Sequence, residues 1–385
     1  MRKFKNPFEQ RIRVNSTSLH KAISKSIALA IAIVVVIAVI AGALALIYLP
    51  RAPVTLTTTP TTATTPKLAK ITWNMGTTKE GTTGYVMIGL MAELLTRYGG
   101  EYFDCRLAPY GSSTAGLKGY DMKEVHSMYA SLQQVEQIVT RTGPFGPPTY
   151  NWTRSLAQFI WMYNIKWFWI VRPEVASRVR GWSDLKGLRV WPQMKGTSTY
   201  EFMQVVLGPN GLGIWGTLDI KTFDISQAAD ALKVGEVDAV AGYNGAGFVV
   251  EVLTRNPSAV IVFPTPEEIE KMLKAAPFVT VTTLYPEEIG VPGALKEPAK
   301  TVGVPFVYIV DPNFSEEHIY LATKILFEHA DELAKSNALW REFAADPLKF
   351  NIPLWERTCK MGVPLHQGVI RYLKERGVSI EACKV

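Results

Sequence analysis

Hydroxyl-bearing residues at a predicted helix start are the first feature of this sequence that could do chemistry. The stretch "KGTSTYEFMQVVL" places Gly196, Thr197, Ser198 and Thr199 between a predicted strand at residues 188–191 and a predicted helix. Free backbone N–H groups and the helix dipole at such a start attract an anion. Ser and Thr are also favoured N-caps, so these residues alone fit either an anion site or an ordinary cap.

Small and hydroxyl-bearing residues also follow other predicted strands. They occur in "NMGTTKEGTTGYV" and in "EVDAVAGYNGAG". In α/β sheets, ligands bind beyond the carboxyl ends of the strands, where such loops lie. The further ligand-binding residues predicted on this ground are Gly76, Thr77, Thr78, Thr83, Tyr85, Tyr243 and Asn244.

One motif suggests catalysis instead. "SDLK" matches the S-x-x-K signature of penicillin-binding enzymes, with Ser183 as the nucleophile and Lys186 as its neighbour. The second serine motif and the K-T-G strand that this chemistry needs do not occur in the sequence. The five histidines show no metal-binding spacing and no C-x-x-C pair is present; His318 is expected at the surface. The sequence therefore predicts no catalytic residue, no metal and no cofactor.

The elements that must position these residues alternate along the chain. Strand-like and helix-like stretches follow one another from residue 71 to about residue 310, before a helical tail, which predicts an α/β fold with mostly parallel sheets. Between the first unit and Ser183 lies a concentration of aromatic residues. Aromatic side chains on strands favour a core or a seam between lobes, with an aromatic ligand wall as the alternative. The tryptophans concerned are Trp152, Trp161, Trp167, Trp169, Trp182 and Trp191.

The N-terminal residues predict a membrane anchor and a tether. Residues 26–49 carry no charge and are almost wholly apolar, long enough to cross a bilayer. Seven basic residues precede them, which predicts a single-pass protein in the cell membrane with residues 1–25 cytoplasmic and the body extracytoplasmic. Residues 50–67 are rich in Thr and Pro and predict an extended linker. A cleaved signal peptide is the alternative.

The charge distribution argues against nucleic acid as a partner. Of 41 Lys and Arg residues, nine lie in residues 1–67 with one of the 34 acidic residues, so residues 68–385 carry 32 basic and 33 acidic side chains. A nearly neutral body lacks the basic surface that nucleic-acid binding requires. Of the three cysteines, Cys359 and Cys383 could form a disulfide outside the membrane, and Cys105 would then be left over.

Several stretches occur in the order that is typical of one transport family. They are "WNMGTTKEGTTGYVMIGLMAELL", "APYGSSTAGLKG", "SDLKGLRV", "KGTSTYEFMQVVL", "GEVDAVAGYNGAGFVVEVL" and "VPLHQGVIRYLKERG". Over about residues 70–378 the chain thereby resembles the TRAP-associated extracytoplasmic immunogenic (TAXI) solute-binding proteins. These are the ligand-capturing subunits of tripartite ATP-independent periplasmic (TRAP) transporters. The resemblance also accounts for "SDLK" without an enzyme.

The resemblance implies a two-lobed periplasmic-binding-protein fold, type II-like, with two crossings between the lobes. Lobe one would comprise residues 68–165 and 301–385, and lobe two residues 166–300. The hinge strands would lie at 164–172 and 301–310. Gly111 and Ser112 of the "GS" segment join the predicted ligand-binding residues on this ground.

The implied function is capture of a small organic anion, an amino acid or a glutamate-like dicarboxylate, in the cleft of a monomeric body. The membrane-anchored protein would then deliver the ligand to a TRAP-type permease. Two alternatives are an extracytoplasmic ligand-sensing module and a surface serine hydrolase. Ser198 stands where the family pattern has glycine, and Lys79 and Glu80 interrupt its first loop, so the ligand can differ from those of the family.

Overall fold

The computed structural model describes residues 68–385, which belong to one compact unit. The predicted cytoplasmic segment, anchor and linker at residues 1–67 lie outside the described residues. Within residues 68–385, no helix combines the length and the apolar character that a bilayer crossing needs. The predictions for the N-terminal segments therefore stay predictions.

Ten strands of the described chain form one mixed sheet. The strand order is β2-β1-β3-β10-β4-β7-β5-β6, with β8 beside β4 and β9 beside β10. The strands are β1 (Ile71–Thr78), β2 (Phe103–Tyr110), β3 (Ser127–Ser131), β4 (Ala157–Val171), β5 (Arg189–Trp191), β6 (Asp219–Ile220), β7 (Ala239–Tyr243), β8 (Val260–Val262), β9 (Thr280–Leu284) and β10 (Ala299–Val310).

The two longest strands, β4 and β10, lie antiparallel to each other in the middle of the sheet. Strand β1 pairs in parallel with β2 and β3, and β5 pairs in parallel with β6 and β7. Every strand that pairs with β4 or β10 runs antiparallel to it. The prediction of mostly parallel sheets is therefore wrong. Strand–helix alternation produces the parallel pairs at the two ends of the strand order. The two long strands between them, β4 and β10, run in opposite directions.

Strands β1 to β3 lie on one side of this central pair and β5 to β7 on the other. Strand β4 pairs with β10 over residues 157–166 and with β7 over residues 167–171. A strand that is shared in this way is a suitable place for a hinge. The predicted lobe boundaries, 68–165 with 301–385 and 166–300, stay a prediction.

Helices cover the sheet and follow most of its strands. They are α1 (Thr83–Gly99), α2 (Ser113–Asp121), α3 (Leu132–Thr140), α4 (Pro173–Ala176), α5 (Ser198–Val206), α6 (Ala228–Val234), α7 (Gly247–Arg255), α8 (Pro266–Ala275), α9 (Glu316–Glu328), α10 (Ala330–Ser336), α11 (Arg341–Ala345), α12 (Pro347–Lys360) and α13 (Gln367–Glu375). Local signals set several of their starts. Thr265 caps α8, for example, in a capping box with Glu268.

The core is rich in aromatic side chains. Strand β4 is a nearly continuous apolar run because both of its faces are covered. Trp152 is 2% exposed and the other five tryptophans of the predicted cluster are fully buried. The prediction that they form core is confirmed, and none of the six lines the cavity described below.

Two features in the C-terminal part of the chain were left open or wrongly expected from the sequence. Cys359 and Cys383 form a disulfide, which the sequence left open. His318 is 3% exposed, and its ring nitrogens contact the Ser315 hydroxyl at 2.7 Å and the Ala69 carbonyl at 2.8 Å. The expected surface position of His318 is therefore wrong, because the chain before β1 covers this face of α9.

Candidate functional site

Three helix N-termini meet at one cavity. Helix α1 is capped by Thr82, whose hydroxyl accepts a hydrogen bond from the Tyr85 N–H. Helix α2 is capped in the same way by Ser112, and α5 by Thr197. These three caps all line the same cavity of about 60 Å³. The ordinary N-cap and the candidate anion site are therefore the same residues in this molecule.

The polar part of the cavity wall consists mainly of hydroxyl groups. The hydroxyl-bearing Ser and Thr residues are Thr78, Thr82, Thr83, Ser112, Ser113, Thr197, Ser198 and Thr199. A single water needs about 10–15 Å³ of such space, so the cavity admits several water-sized groups. Its size fits a small metabolite.

Backbone N–H groups at these helix starts lack partners. Among the described residues, the amides of Thr83 and Gly84 in α1, Ser113 in α2, and Ser198 and Thr199 in α5 form no hydrogen bond. The first N–H groups of a helix have no intrahelical acceptor. All five residues line the cavity. Each helix start also carries roughly half a positive charge, so three of them create a strong preference for an anion.

Side-chain hydrogen bonds connect opposite walls of the cavity. The Ser113 hydroxyl donates to Ser198 at 3.2 Å, joining α2 to α5. The hydroxyls of Thr83 and Tyr243 lie 3.3 Å apart, joining α1 to the end of β7. These bonds hold together segments that are more than 80 residues apart in sequence.

Three tyrosines contribute their hydroxyls to the inner wall. They are Tyr129, Tyr163 and Tyr243, on β3, β4 and β7. Burial raises the pKa of each phenol above its ordinary value, so all three stay neutral donors at physiological pH. The Tyr129 hydroxyl lies 3.0 Å from the Thr78 hydroxyl. The Tyr163 hydroxyl has no hydrogen-bond partner among residues 68–385, although Tyr163 is only 1% exposed.

Gln193 adds an amide group to the same wall. It is 2% exposed, and its Nε2 donates to the Ala241 carbonyl at 2.6 Å. Its backbone φ of 109° lies in a region that non-glycine residues rarely adopt. Strained backbone of this kind is often found at binding sites. The fixed Nε2 leaves the Oε1 atom of Gln193 as an acceptor for a ligand.

No charged side chain lines the cavity within the described part of the chain. An ion pair between sequence neighbours of the lining residues Thr78 and Ile225 joins Lys79 to Asp224, with 3.0 Å between Nζ and Oδ2. Both side chains are about half exposed, so this pair has little influence on stability. The charge preference of the cavity therefore comes from backbone dipoles rather than from Lys or Arg.

Eight of the thirteen predicted ligand-binding residues line the cavity. They are Thr78, Thr83, Gly111, Ser112, Thr197, Ser198, Thr199 and Tyr243. They converge because the strands on both sides of the central pair end near the middle of β4. The carboxyl end of β3, beside β1, pairs with Phe306, which pairs in turn with Tyr163 of β4, and the carboxyl end of β7 pairs with Trp167, four residues further along β4. Whether they bind a ligand stays a prediction.

The structure does not bring the other five to the cavity. Gly76 lies within β1, where an added Cβ would come 2.8 Å from Met128 Sδ. Thr77 is fully buried, and Gly196 is exposed with a φ of 82°.

Tyr85 and Asn244 also have other surroundings. The Tyr85 hydroxyl donates to Glu80 Oε1 at 3.3 Å. Asn244 accepts a hydrogen bond from the Lys166 N–H at 2.8 Å, so it fastens the end of β7 to the shared strand β4. This structural role of Asn244 could not be predicted from the sequence, because it depends on the position of β7 beside β4.

Sequence reasoning missed ten residues of the wall. Ser113 could have been found, because it continues the "GSS" helix start. Thr82 and Gly84 belong to the start of α1 and carry the same local signal, whereas the rest come from the inner strands or from turns with no such signal. These are Tyr129, Tyr163, Ile165, Gln193, Met194, Ile225 and Phe306.

The hydrolase motif lies apart from this cavity. Ser183 sits in a short 3-10 turn, Trp182–Leu185, and its N–H donates to Glu268 Oε1 at 2.6 Å. Lys186 is exposed beyond the turn. Among residues 68–385, no group of three or more His, Cys, Asp or Glu side chains is arranged to hold a metal ion.

The family profile named NMT1-like family matches residues 75–377. The chain belongs to the NMT1-like family, which is of the periplasmic solute-binding type. Its members bind substrates and are not enzymes, and this chain is accordingly a substrate-binding protein.

Three solved structures show remote similarity. An ancestral arginine-binding protein bound to arginine is 16% identical, covers 69% of this chain and 96% of its own, and has a TM-score of 0.42. The alkanesulfonate-binding protein of Xanthomonas axonopodis pv. citri bound to MOPS is 14% identical, with 82% and 83% covered and a TM-score of 0.39. A TRAP periplasmic solute-binding protein of Anaerococcus prevotii with bound D-glucuronate is 14% identical, with 80% and 92% covered and a TM-score of 0.37.

Proposed function

We propose that this protein captures a small organic anion in the cavity and delivers it to a TRAP-type membrane permease. The observation that carries the proposal is the convergence of three helix N-termini with unpaired N–H groups on one uncharged cavity. Such groups are fixed in place before the ligand arrives, so binding needs little reorganisation. Charge-assisted hydrogen bonds to a carboxylate are worth about 1.5–3 kcal/mol each.

Capture would proceed by closure of two lobes around the ligand, with residues 68–165 and 301–385 in one and 166–300 in the other. Strands β4 and β10 would be the hinge. The bonds Ser113–Ser198 and Thr83–Tyr243 join residues of different proposed lobes. A ligand that contacts both walls adds to these bonds and shifts the population toward the closed form.

Assignment to the TAXI subfamily, and thus to a TRAP permease, rests on the ordered sequence stretches. The membership of the NMT1-like family agrees with a solute-binding role but is coarser. The apolar residues 26–49 would anchor the protein in the cell membrane, with the body outside and residues 50–67 as a tether. Such an anchor would keep the loaded protein close to its permease.

The test begins with the ligand that the protein carries. Full-length protein is purified in detergent and denatured, and the released small molecules are identified by mass spectrometry. A small organic anion supports the proposal, and a cation or a neutral lipid contradicts it. The identified compound is then titrated into refolded protein by calorimetry.

A matched pair of variants locates the site. Thr199→Val removes a hydroxyl at the start of α5 and should weaken binding by roughly tenfold. Thr254→Val makes the same change on an exposed position of α7 and should leave affinity unchanged. Equal affinities of both folded variants would show that the Thr199 hydroxyl does not contact the ligand.

A further inference from the structure

Within the described residues, the cavity offers no ion-pair partner to a positively charged group on a ligand. No Asp or Glu lines it within the described residues. Asp224 lies beside the lining residue Ile225, but it is paired with Lys79 and accepts hydrogen bonds from Ser226. An ammonium group that leaves water needs a partner of opposite charge.

The electric field of the helix dipoles also disfavours a positive charge in the cavity. The starts of α1, α2 and α5 each place roughly half a positive charge at the cavity. An ammonium group in the cavity would be repelled by the dipoles that attract its carboxylate. The field therefore disfavours a zwitterionic ligand as a whole.

Two buried polar groups are placed to bind a neutral substituent. The Tyr163 hydroxyl has no hydrogen-bond partner in residues 68–385 and lines the cavity from the shared strand β4. Gln193 is held by its bond to Ala241, which leaves its Oε1 as an acceptor. A neutral phenol and a neutral amide suit a hydroxyl or keto oxygen, which can accept from Tyr163 or donate to Gln193.

We infer that the ligand is a short-chain carboxylate that carries a hydroxyl or keto oxygen and no ammonium group. The helix starts hold its carboxylate, and Tyr163 and Gln193 bind its neutral oxygen. This inference rests on the proposed function and narrows it, because it separates hydroxy and keto acids from the amino acids with the same carbon skeleton.

The test uses matched acids. Full-length protein, stripped of ligand, is titrated by calorimetry with three series: alanine, lactate and pyruvate; glutamate, 2-hydroxyglutarate and 2-oxoglutarate; and leucine with its 2-hydroxy and 2-keto analogues. In any series that binds, the hydroxy or keto acid should bind at least about 30-fold more tightly than the amino acid.

An amino acid that binds as tightly as its oxygen analogue overturns the inference and leaves the proposed function intact. Absence of binding by all nine acids also overturns it. In that case an organic anion of another class, released from the denatured protein, would still support the proposed function. The two ideas can therefore fail separately.

A variant pair tests the role of Tyr163. Tyr163→Phe removes a hydroxyl that forms no hydrogen bond within residues 68–385, so the fold of this part of the chain should be unaffected. Binding of the hydroxy or keto acid should weaken about five- to tenfold, while the unsubstituted acid of the same skeleton, propionate or glutarate, should bind as before. Tyr372→Phe changes another buried tyrosine far along the chain and should change neither affinity. The inference is contradicted if Tyr163→Phe weakens binding of the substituted and the unsubstituted acid equally, or if it changes neither affinity.

Discussion

A negative charge built into the start of α5 should abolish ligand capture. Ser198 is the first residue of this helix, is 6% exposed, and accepts a hydrogen bond from Ser113 across the cavity. Ser198→Asp places a carboxylate where a ligand carboxylate is expected to lie. Ser198→Asn has the same size and loses the same hydroxyl, but it adds no charge. The pair therefore isolates the electrostatic effect.

The magnitude follows from Coulomb's law. Two carboxylates about 5–6 Å apart, at an effective dielectric constant of about 20, repel each other by roughly 3 kcal/mol. This corresponds to about a 100-fold loss of affinity for the Asp variant relative to the Asn variant. The folded state should tolerate Asp, because a negative charge at a helix start is favourable.

The assay is calorimetric titration of the released native ligand into both variants and the wild-type protein. Circular dichroism melting checks that each variant is folded. The difference between Asp and Asn should shrink as salt is raised, to the extent that the cavity is open to ions. Equal affinities of the two folded variants would refute the idea that the ligand's negative charge lies at the start of α5.

Three further predictions concern stability. Burial raises the pKa of Glu201 from its ordinary value of 4.5 to about 7, so its contribution to stability is full below pH 4.5 and is lost as the pH rises from there to about 7. Glu201→Gln should therefore be more stable than wild type in urea at pH 8 and equal to it at pH 4, and equal pH slopes of the two proteins would contradict this. Reduction of the disulfide between Cys359 and Cys383, 24 residues apart, should lower the free energy of unfolding by about 3 kcal/mol, as measured by urea titration with and without reductant. Lys166 is 1% exposed, and its Nζ lies 2.7 Å from Glu288 Oε1. Lys166→Met should therefore lower the free energy of unfolding by about 3–5 kcal/mol, because it leaves a buried carboxylate unpaired. Adding Glu288→Gln should recover part of this loss, and strictly additive changes in the free energy of unfolding would argue against the pairing.

The helix starts of this protein could be predicted from the sequence because their determinants are local. A hydroxyl residue that follows a strand and precedes an apolar-periodic stretch predicts a cap, whatever the rest of the chain does. Thr82, Ser112 and Thr197 obey this rule. The same locality explains why the α/β class and the core tryptophans were predictable.

The relative directions of the strands in the sheet could not be derived from local sequence. Strand–helix alternation is the same whether the next strand continues one side of the sheet or crosses to the other. The antiparallel pairings of β4 and β10, with each other and with their other neighbours, show that the sheet is mixed. Pairing between residues more than 130 apart, such as Val304 with Ile165, depends on the whole fold and leaves no periodic signal.

The inner wall of the cavity was likewise decided only by tertiary structure. Tyr163 and Phe306 lie in apolar strands and look like core residues; they face the cavity because β4 and β10 meet there, with their rings stacked 5.1 Å apart. Asn244 has the type of a ligand-binding residue, yet its amide bonds to the backbone of β4. The sequence by itself determined the groups that attract an anion, since caps and dipoles belong to single helices. The fold decided which neutral groups face that anion, because their positions depend on strands brought together from distant parts of the chain.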